Sequence, residues 1–174
     1  MNDEALEVLK NRRSIRKFKA QQVAQAELDA VLEAGTFAPT GGGTQSPVIV
    51  AVQDPATVAK LDAMNAKVLN QAAHPYYGAP TILLVLAPRD GLVPTEDGSL
   101  VAGNLLNAAY AAGLGACWIH RSKEMFESAE GKELLQAWGL PGNLMGVASI
   151  ALGYPDCPPP QAAPRKAGYV VYVK

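Results

Sequence analysis

Histidine and cysteine are scarce, with two of each. His74 and His120 lie on separate segments, and no HExxH, HxH or His/Asp cluster accompanies them, so the ligand set of a metal site is missing. Cys117 and Cys157 stand apart without CxxC or zinc-knuckle spacing, which excludes a redox pair and reads as two free thiols. Serine-triad chemistry lacks its GxSxG elbow. The phosphate-binding patterns GxGxxG and GxxxxGK[ST] are also missing: Gly113 and Gly115 follow a helical pattern and lead into a strand, the reverse of the dinucleotide-binding order. Neither sign of charge is in excess. Lys and Arg total 15 against 16 Asp and Glu, for a formal net charge of -1, so no general field draws nucleic acid or an anionic membrane. Aromatic residues, at 6%, are too few for a platform that stacks single-stranded bases. The longest apolar stretch, residues 101–119, is interrupted by Gly103, Asn104, Asn107 and Gly113, which argues against a membrane span. The opening Met1, Asn2, Asp3 and Glu4 do not form a positive segment with an apolar run behind it, so a signal peptide is absent and a cytoplasmic location is expected.

What remains is ample for one folded domain over residues 1–174, with 49% hydrophobic residues. Apolar spacing predicts helices over residues 3–10 and 25–34, the second ended by Gly35. A turn-rich loop over 38–47 precedes the apolar run 48–52, which suits a strand covered on both faces. A helix follows from Pro55 to about Leu69, then a buried strand over 81–87. The central helix is expected from Asp97 or Ser99 to Leu114, with Ala108, Ala109, Ala111 and Ala112 permitting close approach of another backbone. Strands at 116–119 and 147–152 flank a helical stretch that runs through Met125 and Phe126 and resumes at Leu134 and Leu135. Five prolines between Pro155 and Pro164 predict an extended C-terminal arm over 155–174, and the alternating residues 169–173 read as an edge strand on it. Strands alternating with helices give an α/β or α+β layered domain.

The densest positive charge is Arg12, Arg13, Arg16, Lys17 and Lys19, at the end of the first predicted helix. Cations there also suit the negative end of the helix dipole, so a solvated basic helix end is one reading. The mix favours a second: planar arginine forks beside the Ser14 hydroxyl suit a phosphate better than scattered lysines do. The loop Thr40, Gly41, Gly42, Gly43 and Thr44 offers backbone without Cβ obstruction, open either to a flat ligand or phosphate or to service as a flexible connection. No complete set of acid, base and nucleophile is visible, an absence that fits chemistry in which a bound cofactor would supply the reactive atoms.

Six features in order carry a resemblance across almost the whole chain: the run Arg12 to Phe18, the loop Ala38 to Gly41, Asp97 opening an Ala-rich helix, residues 113–119, the group Gly153, Tyr154 and Pro155, and the late Pro164, Arg165 and Lys166. Together they resemble the nitroreductase-like FMN flavoproteins. The resemblance implies an α+β fold with helices packed around a small central mixed sheet, and an intertwined homodimer with FMN at the subunit interface. It further implies that Arg12, Arg13, Ser14 and Arg16 hold the phosphate, the ribityl chain and the O2 side of the flavin, with Arg165 and Lys166 completing the phosphate grip. Pro39, Thr40 and Gly41 would reach the flavin from the partner subunit, and Asn65 would bind its pyrimidine edge. Ile119, His120 and Arg121 would bring backbone N–H groups to flavin N5. The implied reaction is ping-pong: NADH or NADPH reduces FMN and leaves, then a small electron-poor acceptor such as a nitroaromatic or quinone is reduced. Flavin binding without nicotinamide-driven turnover, ene-reduction and reductive dehalogenation are the alternatives within the same resemblance. The pair His120 and Arg121 stands where the family frequently has a small glycine-containing pair, and its bulk and charge imply either a narrower acceptor pocket or recruitment of an anionic substrate.

Overall fold

A computed structural model describes residues 3–174, and Met1 and Asn2, the start of the expected domain, lie outside them. The helices are α1 (Asp3–Asn11), α2 (Gln25–Thr36), α3 (Pro55–Leu69), α4 (Pro94–Ala111), α5 (Ser122–Glu127) and α6 (Ala129–Ala137). The strands are β1 (Val48–Val52), β2 (Thr81–Pro88), β3 (Gly115–Ile119) and β4 (Leu144–Gly153). They form one sheet in the order β1-β2-β4-β3, each neighbouring pair antiparallel. The sheet is thus antiparallel rather than mixed, and the parallel contact of Ser14 with Ala116 at the edge of β3 is an isolated bridge. Among the described residues no helix is long and apolar enough to cross a membrane.

The sheet divides the core in two by the period of the strand. Ile82, Leu84 and Leu86 of β2 face one cluster with Leu61 and Met64 of α3, Met125 and Phe126 of α5 and Leu134 and Leu135 of α6. Leu83 and Val85 face the other, with Leu28 and Val31 of α2 and Val101, Ala102, Leu105 and Ala109 of α4. Helices on both faces explain why β2 reads as an unbroken apolar run, with residues 81–87 all buried. The same reading fails for β1, which was expected to be covered on both sides. It is the sheet's edge, and its Ala51 is exposed.

Local chemistry accounts for the boundaries of α3. Asp54 caps it by accepting from the Thr57 N–H at 2.8 Å, Pro55 starts it, and Asn70 ends it in the left-handed conformation at φ 55°. Other boundaries depart from the sequence reading. Gly35 does not end α2 but sits buried inside it, because a Cβ there would come within 2.6 Å of Leu105 Cδ2 on α4. The central helix starts earlier than predicted, at Pro94, which leaves Asp97 in its first turn. The helical stretch after β3 is two helices, separated at Ser128, whose hydroxyl caps α6 by accepting from the Gly131 N–H at 3.1 Å. Finally, residues 169–173 pair with no strand among the described residues and are exposed throughout. An alternating apolar sequence makes a strand only where another strand's unpaired backbone lies beside it.

Candidate functional site

The basic run is fastened to the start of β3 through its backbone. Besides the Ser14 bridge, the Ile15 N–H donates to Ala116 O at 3.0 Å, and the buried Ile15 side chain packs on Gly115, where a Cβ would meet it at 2.9 Å. Alternate residues of an extended segment share a face, so with Ile15 turned inward Ser14 and Arg16 are turned outward. Ser14 and Arg12 are half-buried and Arg16 is exposed. Farther along, the Lys19 N–H donates to Tyr154 O and the Asp156 N–H to Lys17 O, each at 2.9 Å, which secures the other end of the segment. The arginines themselves are used unequally. Arg13 Nη1 donates to the carbonyls of Lys10 and Arg12, both at 2.7 Å, at the end of α1. Among the described residues Arg12 and Arg16 have no side-chain hydrogen bond or ion pair, so both guanidinium forks remain available to a ligand.

The glycine-rich loop is built around a buried carboxylate. Asp97 Oδ1, in the first turn of α4, accepts from the Gly41 N–H at 2.7 Å. A Cβ on Gly41 would lie 2.5 Å from Val93, so this close approach requires glycine. Thr40 Oγ1 accepts from the Gln45 N–H at 2.9 Å and closes the turn, while Pro39 is exposed. A cavity of about 390 Å³ opens beside the loop, lined by Thr36, Ala38, Thr40, Gln45 and Val101 among others.

The third group lies at the opposite end of β3. Asn65 on α3 is fully buried and joined at both ends of its amide: Nδ2 donates to His120 O at 2.8 Å, and Oδ1 accepts from Arg121 Nε at 2.9 Å. Arg121 occupies the left-handed region at φ 79°, a conformation that costs a side-chain-bearing residue roughly 1–2 kcal/mol and that the two Asn65 bonds help to hold. Beneath the turn, Ser149 of β4 donates to Ile119 O at 3.1 Å and is bonded to the Tyr76 hydroxyl at 2.9 Å and to Ser122 Oγ at 3.0 Å. Asp62 secures Tyr76 in turn, accepting from its backbone N–H at 3.0 Å while its other oxygen lies 2.8 Å from His74 Nδ1. Burial pushes the Tyr76 phenol up to about 12, against a lowering by its hydrogen bond to Ser149. The consequence for the backbone follows from peptide geometry. In a trans peptide the C=O and the next N–H point in opposite directions. With Ile119 O turned to Ser149 and His120 O turned to Asn65, the N–H groups of His120 and Arg121 face away from those buried partners.

The structure thus brings Asn65, Ile119, His120 and Arg121 into one cluster and places Arg12, Ser14 and Arg16 at the other end of the same strand. From Ala116 to Ile119 is three residues, or about 10 Å at about 3.3 Å per residue. Arg165 and Lys166 lie apart on the exposed arm, and Arg165 Nη2 donates to the nearby Ala163 O at 2.5 Å. Among the described residues no hydrogen bond or ion pair links either of them to the basic run, or links Pro39, Thr40 and Gly41 to the turn at 119–121. Sequence reasoning did not find Tyr76, Ser122 and Ser149. Its one available signal was Ser149, the single hydroxyl in the otherwise apolar stretch 147–152.

The nitroreductase family model matches residues 9–154. In structure the chain is similar to a nitroreductase with bound FMN from Bacteroides fragilis, with a TM-score of 0.89 and 28% identity over 98% of this chain and 99% of that one. In sequence it is 27% identical over 160 residues to an Archaeoglobus fulgidus protein provisionally named NADH dehydrogenase/NAD(P)H nitroreductase, spanning 88% of this chain and 86% of the other. It is also 28% identical over 172 residues to an NADPH-dependent oxidoreductase of Staphylococcus epidermidis, spanning 90% of this chain and 66% of the other. A family model that covers most of the chain, on the fold described above, places this protein in the nitroreductase family.

Proposed function

We propose that this chain is an FMN-dependent oxidoreductase that takes hydride from NADH or NADPH and reduces electron-poor acceptors such as nitroaromatics or quinones in a ping-pong cycle. The observation that carries the reading is the use of β3 as a ruler, with forked donors at its start and outward N–H groups just past its end. The donor chemistry fits the cofactor: Arg12, Arg16 and the Ser14 hydroxyl suit a phosphate, and a five-carbon ribityl chain can span the strand to the turn. FMN, when bound, supplies the hydride-accepting and hydride-donating atom. The chain's own part is to hold and orient it. The backbone of 119–121 presents N–H donors toward N5, and Asn65 and Ser149 keep them aimed, so little rearrangement is needed as charge develops.

Arg13 stays in this reading with Arg12, Ser14 and Arg16 at the phosphate, while Pro39, Thr40, Gly41, Arg165 and Lys166 enter it through a second copy of the chain. The arm at 158–174 is exposed throughout and carries Tyr169, Val170, Val171, Tyr172 and Val173, which a single chain leaves in water. A homodimer in which this arm wraps a partner, with FMN at the interface, covers those residues and brings Arg165 and Lys166 to a phosphate. A cytoplasmic location belongs to the same proposal.

The test is an anaerobic titration of the purified protein with NADH and NADPH, read at the flavin absorbance, followed by a panel of acceptors and a mass measurement by light scattering. The expected result is a yellow dimer bleached by a nicotinamide and recoloured by a nitroaromatic or quinone. Protein that takes up no FMN overturns the reading. Yellow protein inert to both nicotinamides replaces it with flavin binding without this turnover.

A further inference from the structure

Arg121 is held differently from the ion-paired lysines and arginines among the described residues. Lys10, Lys17, Lys67 and Arg89 each sit against a carboxylate on the surface. Arg121 is half-buried, and among the described residues its partner is neutral, the fully buried Asn65 amide at 2.9 Å. The acid in the surrounding network, Asp62, is turned to the Tyr76 N–H and to His74. A guanidinium has five N–H donors, and the bond to Asn65 uses the one on Nε. Four remain on the terminal nitrogens, carrying a positive charge that no acid of the described chain balances. Pinning Nε also removes part of the side-chain freedom that a binding event otherwise has to freeze. The backbone supports this placement. The left-handed turn at φ 79° is one that a side-chain-bearing residue adopts only when its surroundings enforce it.

We propose that Arg121 is an oxyanion-binding residue that selects electron acceptors carrying a carboxylate, and that Asn65 is the positioning residue that aims it. The assignment rests on the reading in which residues 119–121 face the flavin. The same fork also fits the 2′-phosphate of NADPH, so the experiment separates an anion on the acceptor from one on the nucleotide.

The direct test is equilibrium binding of benzoate, a redox-inert carboxylate, to the FMN-loaded protein, read as a perturbation of the flavin absorbance. Arg121→Gln is expected to bind benzoate about tenfold or more weakly, the loss of a charge-assisted hydrogen bond. Arg121→Gly is expected to show the same loss while fitting the left-handed backbone without strain, which separates the missing fork from a distorted turn. Arg121→Lys restores charge without the fork and recovers part of the affinity. Asn65→Ala is expected to weaken benzoate in the Arg121 background but to add little on top of Arg121→Gln, the non-additivity that positioning through Arg121 requires. In turnover, the KM ratio of 4-nitrobenzoate to nitrobenzene rises about tenfold in Arg121→Gln, while the KM ratio of NADPH to NADH stays constant. A change in the nucleotide ratio with a constant acceptor ratio overturns the proposal in favour of the nucleotide phosphate. FMN uptake with equal benzoate affinity in wild type and Arg121→Gln overturns the anion site alone, whereas protein that takes up no FMN overturns this inference together with the site reading beneath it.

Discussion

The two ends of β3 both present arginine, by opposite means. At the Ala116 end the backbone is fixed, by the Ser14 bridge and the Ile15 hydrogen bond, while the forks of Arg12 and Arg16 have no partner among the described residues. At the Ile119 end one guanidinium is tied to a buried amide, and the turn that carries it rests on hydroxyls of Ser149, Ser122 and Tyr76. On the proposed reading, the difference separates two tasks. A phosphate is held by charge and by forks that can swivel to meet it, so the protein need only fix where they start. Hydride transfer depends on the position of particular atoms, so the groups near it have to be fixed from behind as well.

Removing the support under the turn is the strongest way to break this contrast. Ser149→Val withdraws the donor to Ile119 O and the partner of both Tyr76 and Ser122 in a fully buried place. Leaving such groups unpaired is expected to lower the unfolding free energy by roughly 2–4 kcal/mol, measured by urea denaturation. An unchanged midpoint means that the network does not hold the turn.

A pH series probes the same network with a smaller effect. The Tyr76 phenol is raised from 10.0 to about 12 in the folded chain. The unfolded chain therefore releases this proton first. Stability from this group is intact below about pH 10 and declines by about 1.4 kcal/mol per pH unit as the pH rises toward about 12. Tyr76→Phe removes that slope, so the difference between the two proteins in urea titrations above pH 10 isolates it. Parallel curves refute the buried phenol as its source.

The smallest change in stability is expected at the other end of the strand. Arg12→Ala and Arg16→Ala should leave the unfolding free energy within about 0.5 kcal/mol, because neither side chain is bonded among the described residues. Each is nevertheless expected to weaken FMN binding about tenfold, with the loss shrinking in high salt, measured by recovery of flavin fluorescence on dissociation. A large stability loss with unchanged FMN affinity would turn these arginines into structural residues and erase the contrast.

Much of the fold was legible because it rests on short-range rules. The limits of β1 followed from an apolar run after a turn-rich loop, and those of α3 from a starting proline and helical apolar spacing. The buried run of β2 followed from helices on both sides of it. Gly35 misled because its role is set by a contact distant in sequence: its missing Cβ admits Leu105. In the site, the composition of the basic run and the Gly41 loop was visible. The partner of Gly41, Asp97, lies 56 residues away, and the partners of Asn65 lie 55 and 56 away, so spacing could not reveal those bonds.

The sequence by itself determined which chemistry the chain carries: arginine forks beside a hydroxyl, a glycine turn that admits close approach, and apolar segments of the length and period to make a layered sheet. Those are properties of residue type and local spacing, and they survive without knowledge of what packs where. Only the tertiary structure decided how that chemistry is arranged. The antiparallel pairing of β3 with β4 sets Ser149 under Ile119, and the packing of α3 against α5 brings Asn65 to Arg121. Hydrogen bonds of this kind act over about 3 Å and tolerate little error in angle. Their existence is therefore fixed by the register of strands and the seating of helices, which no single segment contains.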